Sequence, residues 1–75
     1  MPKSTATAAM QNVTLSGNER WQPKGPAFVT ADGVPTNADD MVFMGANEVL
    51  DFFNGDTVYF MAAGGECTIK REPRP

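Results

Sequence analysis

The chain has 75 residues, a formal net charge of −3, a single cysteine and no histidine. This length accommodates one domain, and the lack of histidine excludes Ser-His-Asp and Cys-His catalysis as well as histidine metal ligands. One cysteine excludes an intrachain disulfide framework. A core this small gives only marginal stability, so we expect association with neighbouring subunits to stabilise the fold.

Residues 1–11 are rich in alanine, threonine and serine and show no apolar period. They predict an N-terminal arm that is either flexible or ordered against a partner. No segment has the apolar core of a secretion signal or the roughly 20 apolar residues of a membrane helix. We therefore expect synthesis in the cytoplasm with Cys67 reduced, and no membrane partner.

Residues 12–70 predict one β domain of short strands separated by turn residues. Pro23, Gly25 and Pro26 indicate a bend and exclude a helix there. The Asn54-Gly55 pair is typical of a type I′ turn and predicts a hairpin. The segments predicted as strands cover residues 13–15, 27–30, 41–44, 48–53, 57–62 and 67–70.

One competing helix covers residues 38–53, where two aspartates resemble an N-cap, but Gly45 and the β-branched and aromatic residues disfavour it. The Pro/Arg segment 71–75 cannot pair inside a sheet and predicts an extended tail. The predicted fold is therefore all-β. It is a small antiparallel sandwich or barrel-like sheet of five to six short strands, with extended N- and C-terminal arms.

Several predicted strands are apolar on both faces. Alternation along residues 57–62 places Val58 and Phe60 on one face and Tyr59 and Met61 on the other. A sheet with one wet face would instead alternate apolar and polar residues. The second apolar face is either a subunit interface or part of one compact core. On the first interpretation the interface residues are Met41, Phe43, Met44, Phe52, Phe53, Tyr59 and Met61.

Charge is segregated along the chain. Seven of the nine acidic residues lie between Lys24 and Lys70, and no basic residue lies between these two lysines. The acidic loops either serve solubility alone, or they bind the basic ends of a neighbour, as in a head-to-tail ring or in docking on an acidic shell. On the second interpretation the residues that contact the shell or partner are Lys3, Trp21, Lys70, Arg71 and Arg74.

The residue inventory predicts no catalytic residue, no metal ligand and no cofactor. The acidic residues at 39–40, 48 and 51 do not match the EF-hand spacing. Cys67 has no histidine or second cysteine to activate it, so we expect a buried small apolar residue. The negative net charge and the lack of a Lys/Arg stripe disfavour a nucleic-acid partner.

Three stretches carry a resemblance to a known class: TLSGNERW at 14–21, GPAFV at 25–29 and NGDTVYFMAAGGECTI at 54–69. Their order and composition resemble small β-rich phage virion proteins of the head-decoration, head-fibre and tail-attachment kind. In that group a turn, a strand with Val/Leu and Tyr/Trp, a Gly-rich turn and a last strand close the sheet. The resemblance implies a cyclic homo-oligomer, often a trimer, that is fixed to a capsid or tail.

The resulting hypothesis is a non-enzymatic virion structural protein that decorates or stabilises a phage capsid. Its expected partners are further copies of itself, with a trimer favoured, and the major capsid protein or another virion protein. Its expected location is the virion, after synthesis in the host cytoplasm. The alternatives are a tail, neck or head-fibre component, and a receptor- or glycan-binding module in which Trp21 and Tyr59 are exposed beside a concave polar patch.

Overall fold

The computed structural model describes residues 3–74, apart from the side chain of Lys3. Within these residues the chain forms strands and one short 3-10 turn at Ala38–Asp40, and it contains no α-helix. The strands are β1 (Lys3–Ala6), β2 (Gln11–Thr14), β3 (Glu19–Pro23), β4 (Ala27–Thr30), β5 (Val42–Met44), β6 (Leu50–Phe52), β7 (Thr57–Ala62) and β8 (Cys67–Pro73).

The strands form two four-stranded sheets. Sheet A has the order β1-β8-β3-β6, and sheet B has the order β2-β7-β4-β5. Every strand pair in both sheets is antiparallel. In the described part of the chain, β4 and β5 are the one consecutive pair that shares a sheet. Each other connection crosses between the sheets, so the two sheets enclose a common core.

The predicted all-β class and antiparallel pairing are confirmed, whereas the count of five to six strands and the barrel-like shape are not. The two additional strands are β1, in the predicted N-terminal arm, and β3, which ends at Pro23 where the bend was predicted. β1 falls within residues 1–11 and pairs with β8, and β8 continues to Pro73. Pro73 is the last residue of β8, where a missing backbone N–H costs least. Residues 1–2 and 75 lie outside the described residues.

The central position of β8 explains why the basic segment after Lys70 is ordered. β8 lies between β1 and β3, and its residues Arg71 and Glu72 pair with Trp21 and Arg20. The last strand of the chain is therefore an inner strand of sheet A, and the first strand is the edge that pairs with it. Residues predicted as a tail therefore belong to an inner strand of sheet A and pair with β3, the strand that carries the buried Trp21.

The Asn54-Gly55 turn does not form the predicted type I′ hairpin. Gly55 has a φ of +91°, but Asn54 is not among the residues with positive φ, and a type I′ turn needs positive φ at both positions. The turn is closed by the Asp56 N–H, which donates to the Phe53 carbonyl at 3.0 Å. It connects β6 of sheet A to β7 of sheet B and is thus a crossover between sheets.

The competing helix over residues 38–53 is absent. Only the 3-10 turn Ala38–Asp40 forms, and its cap is Asn37, whose Oδ1 accepts from the Asp39 N–H at 2.9 Å. The sequence continues into β5 because Val42 and Phe43 favour extended backbone.

The core is built around Trp21, which has no solvent-exposed surface. Its ring centroid lies 5.2 Å from that of Phe52 in sheet A and 5.5 Å from that of Phe60 in sheet B, both in edge-to-face geometry. Such pairs each add about 0.5–1.5 kcal/mol beyond the burial of their area. Trp21 therefore joins the two sheets. The buried apolar cluster comprises Ala6, Leu15, Trp21, Val29, Met44, Phe52, Val58, Phe60, Ala62 and Ile69.

Candidate contact surface

The outer face of sheet B carries a row of apolar side chains. Met61 of β7 is the register partner of Phe28 in β4, and Phe28 is in turn the partner of Phe43 in β5. Residues paired in this way point to the same face of a sheet, and their chain neighbours Phe60 and Val29 face the core. We call Met61, Phe28 and Phe43 the apolar row.

The apolar row remains accessible to solvent. Phe28 and Met61 are half-buried, and Phe43 on the edge strand is 57% exposed. The Phe28 and Phe43 rings form an edge-to-face pair with centroids 5.6 Å apart. Tyr59 is half-buried on the same face, between Thr30 and Asn12 of the neighbouring strands. The face thus combines an apolar centre with an uncharged polar border.

Sheet B carries no charged side chain in any of its strands, whose sequences are QNVT, AFVT, VFM and TVYFMA. The seven acidic residues of the middle of the chain therefore lie in loops or in sheet A. A second surface can therefore approach these strands without burying a charged strand residue, and burying an ion is costly.

The outer face of sheet A has the opposite character. The Arg20 Nε lies 3.1 Å from Asp51 Oδ1, and the Lys70 Nζ lies 2.9 Å from Glu72 Oε1. The hydrogen bond and positive charge of Lys70 hold the pKa of Glu72 below its usual value. Because these pairs are exposed to solvent, they add little stability.

Arg71 lies at the inner side of sheet A and binds Glu19 through two hydrogen bonds of 2.7 and 3.0 Å. The Glu19 carboxylate also accepts from Trp21 Nε1 at 3.0 Å, and the Arg71 guanidinium lies 5.2 Å from the centre of a Trp21 ring. A further hydrogen bond of 3.3 Å joins Arg71 to the Ser4 hydroxyl. The side chains of Arg71 and Glu19 are only 14% and 13% exposed, so water screens their attraction little. Through these hydrogen bonds the cluster holds β1, β3 and β8 together.

A shallow groove opens beside the edge strand β5. Its volume is about 170 Å³, and it reaches from β5 of sheet B to the start of β6 in sheet A. The Glu48 carboxylate at its rim accepts a hydrogen bond from the Gly45 N–H. The remaining lining is apolar and consists of Val42, Phe43, Met44, Val49 and Leu50.

The residues predicted as a subunit interface fall into three groups. Phe43, Tyr59 and Met61 come together on the outer face of sheet B. Met44 and Phe52 lie in the core. The third group lies beside strand ends: Met41 is half-buried before β5, and Phe53 is 61% exposed after β6.

Phe28 belongs to the apolar row but is missing from the predicted interface. The alternation of residues 27–30 does separate Phe28 from Val29, so a signal was present in the sequence. What the sequence did not show is the register that sets Phe28 between Met61 and Phe43.

The predicted shell or partner contacts do not form one surface. Trp21 lies in the core, and Arg71 forms the inner ion pair with Glu19. Lys70 lies on the outer face of sheet A, and Arg74 Nη1 is 2.6 Å from Asp51 Oδ2. Lys3 of β1 is the register partner of Lys70 in β8. The side chain of Lys3 lies outside the described residues.

The described residues contain no cluster of three or more cysteine, aspartate or glutamate side chains positioned to hold a metal ion. Cys67 is half-buried, with its Sγ 4.0 Å from the Pro26 carbonyl oxygen. No helix between residues 3 and 74 has the length and apolar character needed to cross a membrane. No protein-family model, curated protein or solved structure matches the chain.

Proposed function

We propose that the chain is a non-enzymatic virion structural protein that decorates and stabilises a phage capsid as a homo-oligomer. The observation that carries this proposal is the uncharged outer face of sheet B, with its exposed apolar row. The resemblance of residues 14–21, 25–29 and 54–69 to small phage virion proteins of the head-decoration, head-fibre and tail-attachment kind supports a place on the virion.

The size of this face supports a role in assembly. The described chain measures 31 × 23 × 16 Å, so each broad side of the two-sheet structure covers roughly 700 Å². A standard protein interface buries about 800 Å² on each partner. Aromatic residues and methionine are enriched at the centres of such interfaces, and the apolar row consists of these types. One broad side is therefore comparable in size to a standard interface and of suitable composition to hold a partner.

The difference between the two broad sides supports a decorating role in particular. A protein that lies on a shell needs one dry side for the assembly and one hydrated side for the solvent. Sheet B offers the first, and sheet A, with Arg20, Asp51, Lys70 and Glu72, offers the second. Binding to many neighbours on a virion also stabilises a marginal fold by mass action.

The glycan-binding alternative loses one of its two candidate residues. It needs Trp21 and Tyr59 exposed together, but Trp21 is fully buried. A tail, neck or head-fibre component would use the same outer face of sheet B, so it differs from the proposal in the partner and not in the chemistry of contact.

The proposal is tested by mixing the purified chain with shells assembled from the major capsid protein of the same genome. We expect it to co-sediment with the shells and to raise their melting temperature. The variant Met61→Glu places a charge in the apolar row, and we expect at least a roughly tenfold loss of binding, since about 1.4 kcal/mol is tenfold.

The matched control is Thr68→Glu, which adds the same charge to the exposed side of the central strand β8 in sheet A. This variant keeps its binding if the outer face of sheet B is the contact surface. Equal loss in both variants, or no co-sedimentation of the unchanged chain, contradicts the proposal.

A further inference from the structure

Edge strands normally carry features that prevent pairing with another chain, such as lysines, prolines, bulges or paired charges. Three of the four edges here are polar or charged: β1 begins with Lys3, β2 has the sequence QNVT, and β6 carries Asp51 in an ion pair. β5 differs from these, since its sequence VFM has no charge, proline or polar side chain. Val42 and Phe43 are 56% and 57% exposed, one on each side of this edge.

We propose that β5 pairs with β5 of a second copy, antiparallel and across a two-fold axis that passes beside Phe43. Two B sheets would then form one continuous eight-stranded sheet. Phe43 would face Phe43 of the second copy, and Val42 would face Met44 of the second copy. The inference deepens the self-association in the proposed function and rests on it to that extent, but it does not depend on a capsid.

Continuity of the apolar row favours a second copy as the occupant. The row runs across sheet B from Met61 through Phe28 and reaches the edge at Phe43. Pairing two β5 strands extends it into a row of six apolar side chains on one face of the joined sheet. Cross-strand aromatic pairs are among those that stabilise antiparallel sheets.

The charge of the strand itself is compatible with a second copy. Each chain has a net charge of −3, whereas the strands of sheet B carry no charge, so the β5 residues that pair do not oppose like charges. The groove beside β5, with Val49 and Leu50 in its wall and Glu48 at its rim, adjoins this edge.

A two-fold pair of edge strands gives a dimer, whereas the resemblance to small phage virion proteins implies a cyclic homo-oligomer that is often a trimer. The oligomer mass separates these two arrangements. Because each copy adds only the three residues of β5 to the pairing, we expect a dimer that dissociates on dilution.

The first test is sedimentation of the pure chain over a concentration series, with Val42→Lys and the matched control Val34→Lys. Val42 and Val34 are both more than half exposed, so a lysine at either position reaches water in the monomer. We expect a wild-type dimer, at least a tenfold weaker dimer for Val42→Lys, and an unchanged dimer for Val34→Lys, which lies in the loop between β4 and β5.

The second test is covalent and does not depend on how Val42→Lys folds. Phe43→Cys is combined with Cys67→Ala, and the reference carries Val34→Cys in the same background. Directly opposed residues of antiparallel strands have Cα atoms about 4.5–5.5 Å apart, which suits a disulfide. Under mild oxidation we expect a covalent dimer from the variant at position 43 and monomer from the reference.

A wild-type monomer at every concentration, a trimer, a dimer that Val42→Lys leaves intact, or equal cross-linking at positions 43 and 34 would each overturn the inference. A different result would contradict the capsid proposal alone. If the unchanged chain dimerises through β5 but does not bind shells, only the proposed function is contradicted.

Discussion

The two sheets share one apolar core but differ on their outer faces. Sheet A shows solvent a set of ion pairs that includes Arg20 with Asp51 and Lys70 with Glu72. Sheet B shows Phe28, Phe43 and Met61 and no charged side chain. This difference between the outer faces is the basis of the proposal that sheet A faces water and that sheet B contacts protein.

The comparison requires both sheets to share one core. Trp21 contacts both sheets, so its replacement is expected to cause the largest loss of stability. We expect Trp21→Ala to cost about 3–5 kcal/mol, enough to unfold most of a domain this small. Chemical denaturation followed by circular dichroism measures the loss. If Trp21 acted mainly as a surface contact, the free chain would keep its stability and only its binding would fall.

The inner ion pair of sheet A gives the next largest effect. Arg71→Met leaves the Glu19 carboxylate, 13% exposed, without its charged partner, and we expect a loss of about 2 kcal/mol. The matched control Arg74→Met removes an arginine whose pair with Asp51 is open to solvent, and we expect a loss below about 1 kcal/mol. Similar losses in both variants would show that Arg71 does not hold the strands of sheet A together.

The outer face of sheet B is tested by Phe28→Thr, which removes the centre of the apolar row. The side chain is half-buried and has one ring partner, so we expect the monomer to lose about 1 kcal/mol and binding to capsid shells to fall more strongly. Gln22→Thr on the outer face of sheet A is the control. The comparison fails if co-sedimentation shows the same shell binding for both variants.

The smallest effect concerns the outer face of sheet A. Lys70 lowers the pKa of Glu72 from its ordinary value of 4.5, so the folded state binds this proton less readily than the unfolded chain. The resulting stabilisation is present above about pH 4.5 and is lost as the pH falls through the lower, folded pKa.

A carboxyl titration by NMR measures this effect. Lys70→Met should raise the pKa of Glu72 toward its ordinary value, and added salt should do the same in the unchanged chain. A Glu72 pKa that responds to neither change would contradict the ion pair on this face.

Local pattern was enough to predict the fold class and the two-sided apolarity of β7. Alternation along residues 57–62 already assigned Val58 and Phe60 to one face and Tyr59 and Met61 to the other. The structure shows this alternation, with the first pair in the core and the second on the outer face of sheet B. These features depend only on neighbouring residues in one strand.

Features that depend on pairing between distant segments were not predictable in this way. Residues 1–11 predict an arm because they show no apolar period, and the end of β8 predicts a tail because prolines do not pair inside a sheet. In the structure β1 pairs with residues 67–70 of β8, and the end of β8 pairs with β3, which carries Trp21. The Asn54-Gly55 turn contains the right residues for a hairpin, yet the strands on its two sides belong to different sheets. Phe28 was missed for the same reason, since its place in the apolar row follows from register alone.

The central claim is that the outer face of sheet B is buried in the assembled state. Hydroxyl-radical footprinting tests this claim by comparing the labelling of Met61 in the dilute chain and in the chain bound to capsid shells. The core residue Met44 serves as the internal reference. The account predicts that labelling of Met61 falls on assembly while labelling of the outer face of sheet A stays constant. Unchanged labelling of Met61, or protection confined to sheet A, would contradict it.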